Sequence, residues 1–287
     1  MNKVVKKMIG LLGVISLLFT GCGKEQKEVK HSVPEVKTDV LSINCLAVGK
    51  ADAIIVQQGE HAMLIDAGET TNGTTVVSAL EKQGIEKLDA LVITHYDKDH
   101  VGGAAKVLDS VSVDTVFCPD YTGDNDEYLA FQRSIDKHGD VRDVSEITSY
   151  TLGDASLTIH PAEDVAEIME KGGEHDNDLS LVIQMAYGDN KFLLAGDIEK
   201  KRTKQMLAAS VDWDCDWIKI PHHGRYQKKL KDLFEVATPT YAVISTSSAE
   251  EPEEKLTDAL EEYGIETYDT MEKNVITYSD GKTIWFE

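Results

Sequence analysis

The chain is poor in basic residues and in cysteine. It carries 29 lysines and arginines against 51 aspartates and glutamates, which gives a formal net charge of −22 at pH 7. Proteins bind nucleic acid through clustered basic side chains that neutralise phosphates, so this composition argues against a stable nucleic-acid partner. The 4 cysteines in 287 residues do not build a disulfide framework, and the sequence shows no repeat of solenoid length.

An apolar run at the start of the chain is too short to cross a bilayer as a helix. Residues 8–20 are apolar or small, and lysines precede them. The run ends in FTGC at residues 19–22, which resembles the lipobox of bacterial lipoproteins, although Phe19 stands where leucine is usual. The resemblance implies a signal peptide over residues 1–21, lipidation of Cys22, and export with anchoring to the outer face of the bacterial cytoplasmic membrane. An ordinary cleaved signal or an uncleaved anchor is the alternative.

Residues 22–39 form a charged segment with few apolar side chains. Such a segment buries too little surface to fold, so we expect it to be a flexible tether that begins with the lipidated cysteine. Residues 40–287 show no compositional break and are long enough for one large core. We therefore expect a single folded domain over this range, outside the cytoplasm.

The segment 95–100, with the sequence HYDKDH, concentrates side chains that bind metals. It holds two imidazoles and two carboxylates, which are ligand types of Zn²⁺ and Mn²⁺. The preceding residues 88–94 are apolar and β-branched, as in a buried strand, and a helix is predicted over residues 101–108. The pattern predicts a metal site in a loop between a strand and a helix.

Asp66, Asp197 and the pair His222-His223 also follow short apolar runs, each with a glycine nearby. Any one of them alone is an ordinary turn residue. The carboxyl ends of parallel strands meet at one edge of a sheet, where ligand sites are common. If these strands and the strand before residue 95 share one parallel sheet, the four groups converge on a single site.

Six segments of the chain carry a resemblance to a known family. They are VGKADA (48–53), LIDAG (64–68), THYDKDHVGG (94–103), NDLSLV (177–182), FLLAGDIE (192–199) and KIPHHG (219–224). In this order they resemble the metallo-β-lactamase superfamily, and within it the soluble domain of ComEC-type competence proteins and their stand-alone relatives. The resemblance implies an α/β fold over residues 40–287, an αββα sandwich with the metal site at one edge between the two sheets.

The resemblance also assigns roles to individual residues. It implies a divalent-metal centre, with one tight site and a second, weaker one, held by His95, Asp97, Asp99, His100, Asp197 and His223, with His222 as the competing choice for the last position. Asp99 and Asp197 are expected to be the catalytic carboxylates, and Asp197 to bridge the two cations. Asp66 and Asn177 are expected to support the ligands through hydrogen bonds.

The ligand set departs from the usual pattern of the superfamily. Asp97 stands where histidine is usual, and the superfamily's separate histidine ahead of Asp197 is not evident. His160 and His175 are weak candidates for that position, and each is more simply a surface histidine. The resulting oxygen-rich set shifts the preference from Zn²⁺ towards Mn²⁺. We expect the tight site to combine the second half of the loop with Asp197 and His223.

Two basic residues flank the histidine pair and are candidates to support developing negative charge. Lys219 alternates with Ile218 and Ile220, which predicts that its side chain points away from the site. Arg225, directly after the glycine of KIPHHG, is the better-placed candidate. The alternative for both is an ordinary surface charge.

Together these features predict a metal-dependent hydrolase outside the membrane. The resemblance implies cleavage of phosphodiester bonds by a hydroxide that the metal activates, and the acidic composition favours a small or short phosphodiester over a long nucleic acid. A lactone or other acyl-bond hydrolase is the first alternative, because the fold hosts both chemistries. A surface lipoprotein that binds a metal or a partner without catalysis is the second.

Overall fold

The computed structural model describes residues 39–138, 140–170 and 176–287. The predicted signal peptide, Cys22, nearly all of the predicted tether and His175 lie outside the described residues. Within these ranges, no helix combines the length and the apolar character that a membrane crossing requires.

Strands dominate the described part of the chain and are interspersed with short helices. The strands are β1 (Leu41–Cys45), β2 (Ile54–Gln58), β3 (His61–Ile65), β4 (Lys87–Val92), β5 (Ser112–Pro119), β6 (Val141–Val144), β7 (Thr148–Leu152), β8 (Ala155–His160), β9 (Val182–Tyr187), β10 (Asn190–Leu194), β11 (Trp217–Lys219), β12 (Tyr241–Ile244), β13 (Glu266–Asp269), β14 (Val275–Ser279) and β15 (Ile284–Phe286). The helices are α1 (Gly73–Lys82), α2 (Lys98–Val101), α3 (Ala104–Leu108), α4 (Asp126–Ile135), α5 (Val165–Glu170), α6 (Lys200–Ala208), α7 (Lys229–Ala237) and α8 (Glu254–Glu262). Short 3₁₀ turns span Thr70–Asn72, Asp176–Leu179 and Pro221–Gly224.

The strands form two sheets. One has the spatial order β15-β14-β1-β2-β3-β4-β5-β6, and the other has the order β13-β12-β11-β10-β9-β8-β7. In the first sheet β3, β4, β5 and β6 run parallel to one another. In the second sheet the parallel strands are β10, β11, β12 and β13. Each sheet therefore joins a parallel half to an antiparallel half.

Both faces of the sheets are covered, which explains why the central strands are apolar throughout. In β2, Ile54 and Val56 pack between the sheets, whereas Ile55 packs outward with residues of α1, α3 and α4. In β11, Trp217 faces the space between the sheets and Ile218 packs outward with residues of α6, α7 and α8. Helices thus cover the outer face of each sheet. This architecture confirms the predicted αββα sandwich.

The strands that lead into the predicted site residues do not share one sheet. β3 and β4 are a parallel pair in the first sheet, and β10 and β11 are a parallel pair in the second. The condition of one shared parallel sheet is therefore not met, because the antiparallel strands β7, β8 and β9 intervene in the chain and begin the second sheet. Residues that follow strands of both pairs nevertheless meet at one edge of the sandwich.

Three strands and one helix are missed by the sequence patterns. β6, β7 and β13 lie at the edges of the sheets and carry mostly polar, partly exposed residues. They therefore lack the apolar signal of a buried strand. In α5, Ile168 is the one buried residue, so that helix has no apolar stripe for a pattern to detect.

The helix predicted over residues 101–108 begins earlier and is divided by a pair of glycines. Its first part, α2, starts at Lys98, and α3 follows after the glycines. A Cβ at Gly103 would lie 2.1 Å from the carbonyl oxygen of Ala67, so glycine is required where the two backbones approach. The Gly103 N–H donates to the carbonyl oxygen of Gly68 at 2.9 Å. This contact holds the loop after β4 against the loop after β3.

Candidate metal centre

Four side chains meet at the edge between the two sheets. Asp99 and His100 come from α2, which follows β4, while Asp197 follows β10 and His223 follows β11. Their ligand atoms all lie within 4.8 Å of one another. His100, Asp197 and His223 are buried and Asp99 is partly exposed, so the cluster reaches solvent on the side of Asp99.

Asp197 lies at the centre of this cluster. Its Oδ2 atom lies 3.3 Å from Nε2 of His100 and 3.2 Å from Nε2 of His223. The Oδ2 atom of Asp99 lies 3.3 Å from the same nitrogen of His223. The other carboxylate oxygen of Asp197 accepts the backbone N–H of His222 at 3.1 Å. This bond orients Asp197 so that one oxygen faces both imidazoles.

Hydrogen bonds on the far side of each ring direct the Nε2 atoms into the cluster. Nδ1 of His100 lies 2.8 Å from Oδ2 of Asp66, and Nδ1 of His223 lies 3.1 Å from the carbonyl oxygen of Ser245. A carboxylate and a carbonyl only accept, so each Nδ1 carries a proton and donates it. In the neutral rings both Nε2 atoms then present lone pairs to the same point, the arrangement of metal-binding histidines.

The cluster favours positive charge at its centre. Neither Nε2 atom has a hydrogen-bond partner among the described residues, although both are buried. Burial alone would lower the pKa of His223, but the carboxylates of Asp197 and Asp99 outweigh it and raise that pKa to about 9. Burial is likewise outweighed at His100, whose pKa Asp197 and Asp66 raise well above its usual value. Two imidazoles and two carboxylates around one point fit a divalent cation such as Zn²⁺ or Mn²⁺.

The metal-free protein should lose stability as the pH rises above about 6.5, the ordinary pKa of histidine. The pKa of His223 is raised to about 9 and that of His100 is also raised, so their protonation stabilises the fold at low pH. That contribution is lost as the pH rises through about 9. Thermal melting in a chelator should therefore show a falling Tm between these two values.

The carboxylates act in the opposite direction and only in acid. Burial would raise the pKa of Asp197, but His223 and His100 hold it well below its usual value, so its contribution to stability is present above about pH 4 and is lost below it. Metal-free stability should thus be greatest between about pH 4 and 6.5. A Tm that stays constant or rises from neutral to alkaline pH would contradict the assignment of protons to these imidazoles.

Asp66 supports the loop beside the cluster. Its carboxylate accepts the backbone N–H of Thr94 at 2.8 Å and the Thr94 hydroxyl at 2.7 Å. The same hydroxyl lies 3.0 Å from Nδ1 of His95, and because its proton goes to Asp66, it accepts from that nitrogen. Asp66 thus orients His100 directly and His95 through Thr94.

His222 and His223 occupy a strained turn and point in different directions. Their φ angles are 51° and 52°, in the left-handed region that disfavours residues other than glycine. His223 enters the cluster, whereas Nδ1 of His222 lies 3.2 Å from a carboxylate oxygen of Glu199. The structure therefore brings His223, and not His222, together with the other candidate ligands.

His95 and Asp97 lie beside the four-residue cluster rather than in it. Nε2 of His95 is buried, has no hydrogen-bond partner within the described part of the chain, and lies 3.7 Å from Oδ2 of Asp97. Asp176, which the sequence does not single out, lies next to Asp97. Burial and repulsion from that carboxylate raise the pKa of Asp176 to about 6. These three side chains are the candidates for a second, weaker cation position.

Asn177 and His160 have other partners. Hydrogen bonding from His222, and to a smaller extent from Asn177, holds the pKa of Glu199 below its usual value. Asn177 therefore lies at the rim of the site, as a partner of the carboxylate that pairs with His222. The ring of His160 packs 4.9 Å from that of Trp213, between centroids, and His160 does not join the cluster.

Lys219 does not point away from the site, and that prediction is wrong. The residue is 1% exposed, and its Nζ atom donates to Oδ2 of Asp52 at 2.6 Å. Alternate residues of a strand share a face, so Lys219 lies on the same side as Trp217, between the sheets. The alternation with isoleucines does not indicate which side of β11 faces solvent, because helices cover its outer face and both faces of the strand are buried. Asp52, part of the VGKADA segment, is a site residue to which the sequence assigns no role.

These observations define a class of protein, an αββα sandwich with a histidine–aspartate centre at the edge between its sheets. The sequence profile of the metallo-beta-lactamase superfamily matches residues 46–248. The chain belongs to the metallo-beta-lactamase superfamily. Membership confirms the resemblance carried by the six segments, and the superfamily implies binding of a divalent metal.

Three curated proteins are similar to the chain, each over only part of its own length. The chain is 24% identical over 268 residues to ComE operon protein 3 of Bacillus subtilis, covering 82% of this chain and 32% of the relative. It is 22% identical over 281 residues to Competence protein ComA of Neisseria gonorrhoeae, covering 96% of this chain and 36% of the relative. Recombination protein 2 of Haemophilus influenzae is 24% identical over 210 residues, 71% of this chain and 24% of the relative. The chain thus spans 24 to 36% of the length of these relatives.

The fold is shared with solved structures, including the following two. The metallo-beta-lactamase fold protein YhfI from Bacillus subtilis aligns with a TM-score of 0.53 at 12% identity, over 86% of this chain and 100% of that protein. A metal-dependent hydrolase of the beta-lactamase superfamily aligns with a TM-score of 0.56 at 14% identity, over 82% of this chain and 98% of that one. At these identities the alignments establish the fold and nothing finer.

Proposed function

We propose that this chain is a metal-dependent hydrolase that cleaves phosphodiester bonds in a small or short substrate. The observation that carries the proposal is the cluster of Asp99, His100, Asp197 and His223, whose ligand atoms lie within 4.8 Å of one another. These four side chains would hold a divalent cation, which would supply Lewis-acid chemistry and lower the pKa of water into the neutral range. Turnover then depends on Asp99 and Asp197 as the carboxylates that hold the cation in place.

The chain's own groups prepare the site for this chemistry. Asp66 and the carbonyl of Ser245 hold protons at the Nδ1 atoms of the two imidazoles, which keeps both Nε2 atoms facing inward. Asp197 accepts the His222 N–H through Oδ1, and its own N–H donates to the Ser180 hydroxyl at 3.2 Å. Ligands held in this way do not need to reorganise during the reaction, and such preorganisation is a principal source of catalysis.

Three observations support a short phosphodiester as the substrate. Lys98 directly precedes Asp99, Arg225 lies two residues after His223, and both are exposed. A cation held by the cluster would attract a phosphate to this region. Two of the relatives are named for competence and recombination, processes that act on DNA, whose backbone is a phosphodiester. The net charge of −22 opposes contact with a long polyanion.

Hydrolysis of bis-p-nitrophenyl phosphate by the purified chain tests this proposal. With Mn²⁺ or Zn²⁺ supplied, we expect release of p-nitrophenolate, and a loss on the order of 10²–10³-fold in Asp99→Asn. The control is Asp114→Asn, an exposed carboxylate at the amino end of β5, which should hydrolyse at the parental rate. Turnover of nitrocefin or a lactone without turnover of the phosphodiester would assign the chain to the acyl-bond hydrolases. Metal binding without turnover of the phosphodiester, nitrocefin or a lactone would contradict the proposal that the chain is an enzyme.

We further propose that the chain is exported and held at the membrane by a lipid on Cys22. The proposal rests on the lipobox-like residues 19–22. Labelling of cells with a radioactive fatty acid should mark the parent chain and Cys118→Ser, but not Cys22→Ser. An unlabelled parent chain, or equal label on Cys22→Ser, would rule out this anchor.

A further inference from the structure

We propose that Lys219 and Asp52 form a clamp across the two sheets that keeps the two halves of the metal cluster together. In this role they are positioning residues, because neither belongs to the four-residue cluster itself. The inference rests on the metal centre of the proposed function, and it assigns a task to two residues outside that chemistry.

The pair is buried and well bonded. Lys219 and Asp52 are each 1% exposed, and Nζ of Lys219 donates to Oδ2 of Asp52 at 2.6 Å and to the carbonyl oxygen of Ile220 at 3.0 Å. A buried ion pair adds little stability over apolar residues of similar size, because both charges lose their water. We therefore infer that the pair serves to fix the relative position of the two backbone segments that it joins.

Each partner is attached to one half of the cluster. The backbone N–H of Asp52 donates to the carbonyl oxygen of Asp99 at 3.1 Å, which ties Asp52 to α2 and the first sheet. Lys219 is the last residue of β11, in the second sheet, and the turn that carries His223 follows directly. The ion pair therefore links the backbone segment of one ligand to the backbone segment of another.

These contacts form a closed ring. It runs from Asp99 through Asp52 and Lys219 to His223, and it closes through the 3.3 Å contact between the side chains of Asp99 and His223. The remaining oxygen of Asp52, Oδ1, lies 3.9 Å from Nδ1 of His223 and has no hydrogen-bond partner in the ranges that the structure describes. The anionic Asp99 and Asp197 repel each other. A tie between the sheets opposes this repulsion and holds the ligands near one another before a cation binds.

The decisive variant removes the clamp without leaving a buried charge. In the full chain, Lys219→Met is combined with Asp52→Asn, and the affinities for Mn²⁺ and Zn²⁺ are measured by competition with a chromophoric chelator. We expect a cooperatively melting protein whose tight site binds ~10- to 100-fold more weakly, the range for residues that orient metal ligands. The absorption bands of bound Co²⁺ should also shift, because the ligand geometry relaxes. Asp52→Asn alone, which leaves the buried Lys219 ammonium without its carboxylate, should weaken binding in the same direction.

Thr277→Val is the matched control for a purely structural effect. Trp217, on the same strand as Lys219, donates from Nε1 to the Thr277 hydroxyl at 3.1 Å, in a buried hydrogen bond that also joins the two sheets. Neither residue belongs to the cluster or to the ring of contacts around it. This variant should lower the Tm and leave the cation affinity unchanged.

The outcomes separate the clamp from the proposals on which it rests. Unchanged affinity in both Asp52→Asn and the double variant would overturn the clamp. An equal loss of cation affinity in Thr277→Val would also overturn the clamp, because the affinity would then depend only on the overall stability of the protein. If the parent chain binds no divalent cation, the metal centre is wrong, and the clamp with it. If the parent binds a cation but hydrolyses no phosphodiester, the proposed function fails while the clamp stands.

Discussion

Replacing His223 by alanine should remove the tight cation and, with it, hydrolytic activity. Nε2 of His223 lies 3.3 Å from Asp99 and 3.2 Å from Asp197, so the truncation leaves the central carboxylate with one imidazole. We expect dialysed protein to retain no stoichiometric metal, and hydrolysis of bis-p-nitrophenyl phosphate to fall on the order of 10³-fold. Elemental analysis and the assay on the same preparation measure both effects.

His222→Ala is the control that isolates the role of the neighbouring residue. Both histidines have left-handed backbones, so both substitutions disturb the same turn. His222 contacts Glu199 instead of the cluster, and its loss should leave the metal content unchanged. Metal retained in His223→Ala and lost in His222→Ala would reverse the assignment of the ligand.

Lys219→Met alone should lower the free energy of unfolding by about 3–5 kcal/mol, because the buried Asp52 carboxylate is left without its cation. The side chains of Lys219 and Asp52 are 1% and 2% exposed, so water cannot replace the 2.6 Å contact between them. Urea denaturation in the presence of a chelator measures the change apart from metal binding. Adding Asp52→Asn should recover most of the loss, because no unpaired charge then remains.

A surface lysine provides the comparison for this effect. Lys137 pairs with Asp109 at 2.8 Å, and their side chains are 65% and 50% exposed. Exposed pairs contribute little to stability because solvent screens them, so Lys137→Met should leave the urea midpoint unchanged. Equal midpoints for Lys219→Met and Lys137→Met would show that the buried ion pair does not form in solution.

The fold and the family are accessible from the sequence because their signals are local. The strand before residue 95 is apolar over consecutive positions, which is what a strand covered on both faces requires. Asp66, Asp197 and the histidine pair stand where apolar runs end, and the six segments preserve the order of the superfamily. The polar edge strands carry no comparable signal, since only one neighbouring strand and little apolar burial define them.

The parts of the site that the sequence misses depend on contacts between distant residues. Alternation in β11 predicts an outward Lys219, and only the packing of one sheet on the other shows that it meets Asp52, 167 positions away. The different directions of His222 and His223 follow from a left-handed turn that no residue pattern announces. Asp176 meets Asp97 only once the second sheet lies on the first.

Anomalous diffraction from crystals grown with Mn²⁺ or Zn²⁺ would locate the bound cation. We expect the strongest anomalous peak to lie among Asp99, His100, Asp197 and His223, at about 2.0–2.2 Å from their ligand atoms for Zn²⁺. A strongest peak elsewhere in the molecule, with these four side chains left uncoordinated, would contradict it.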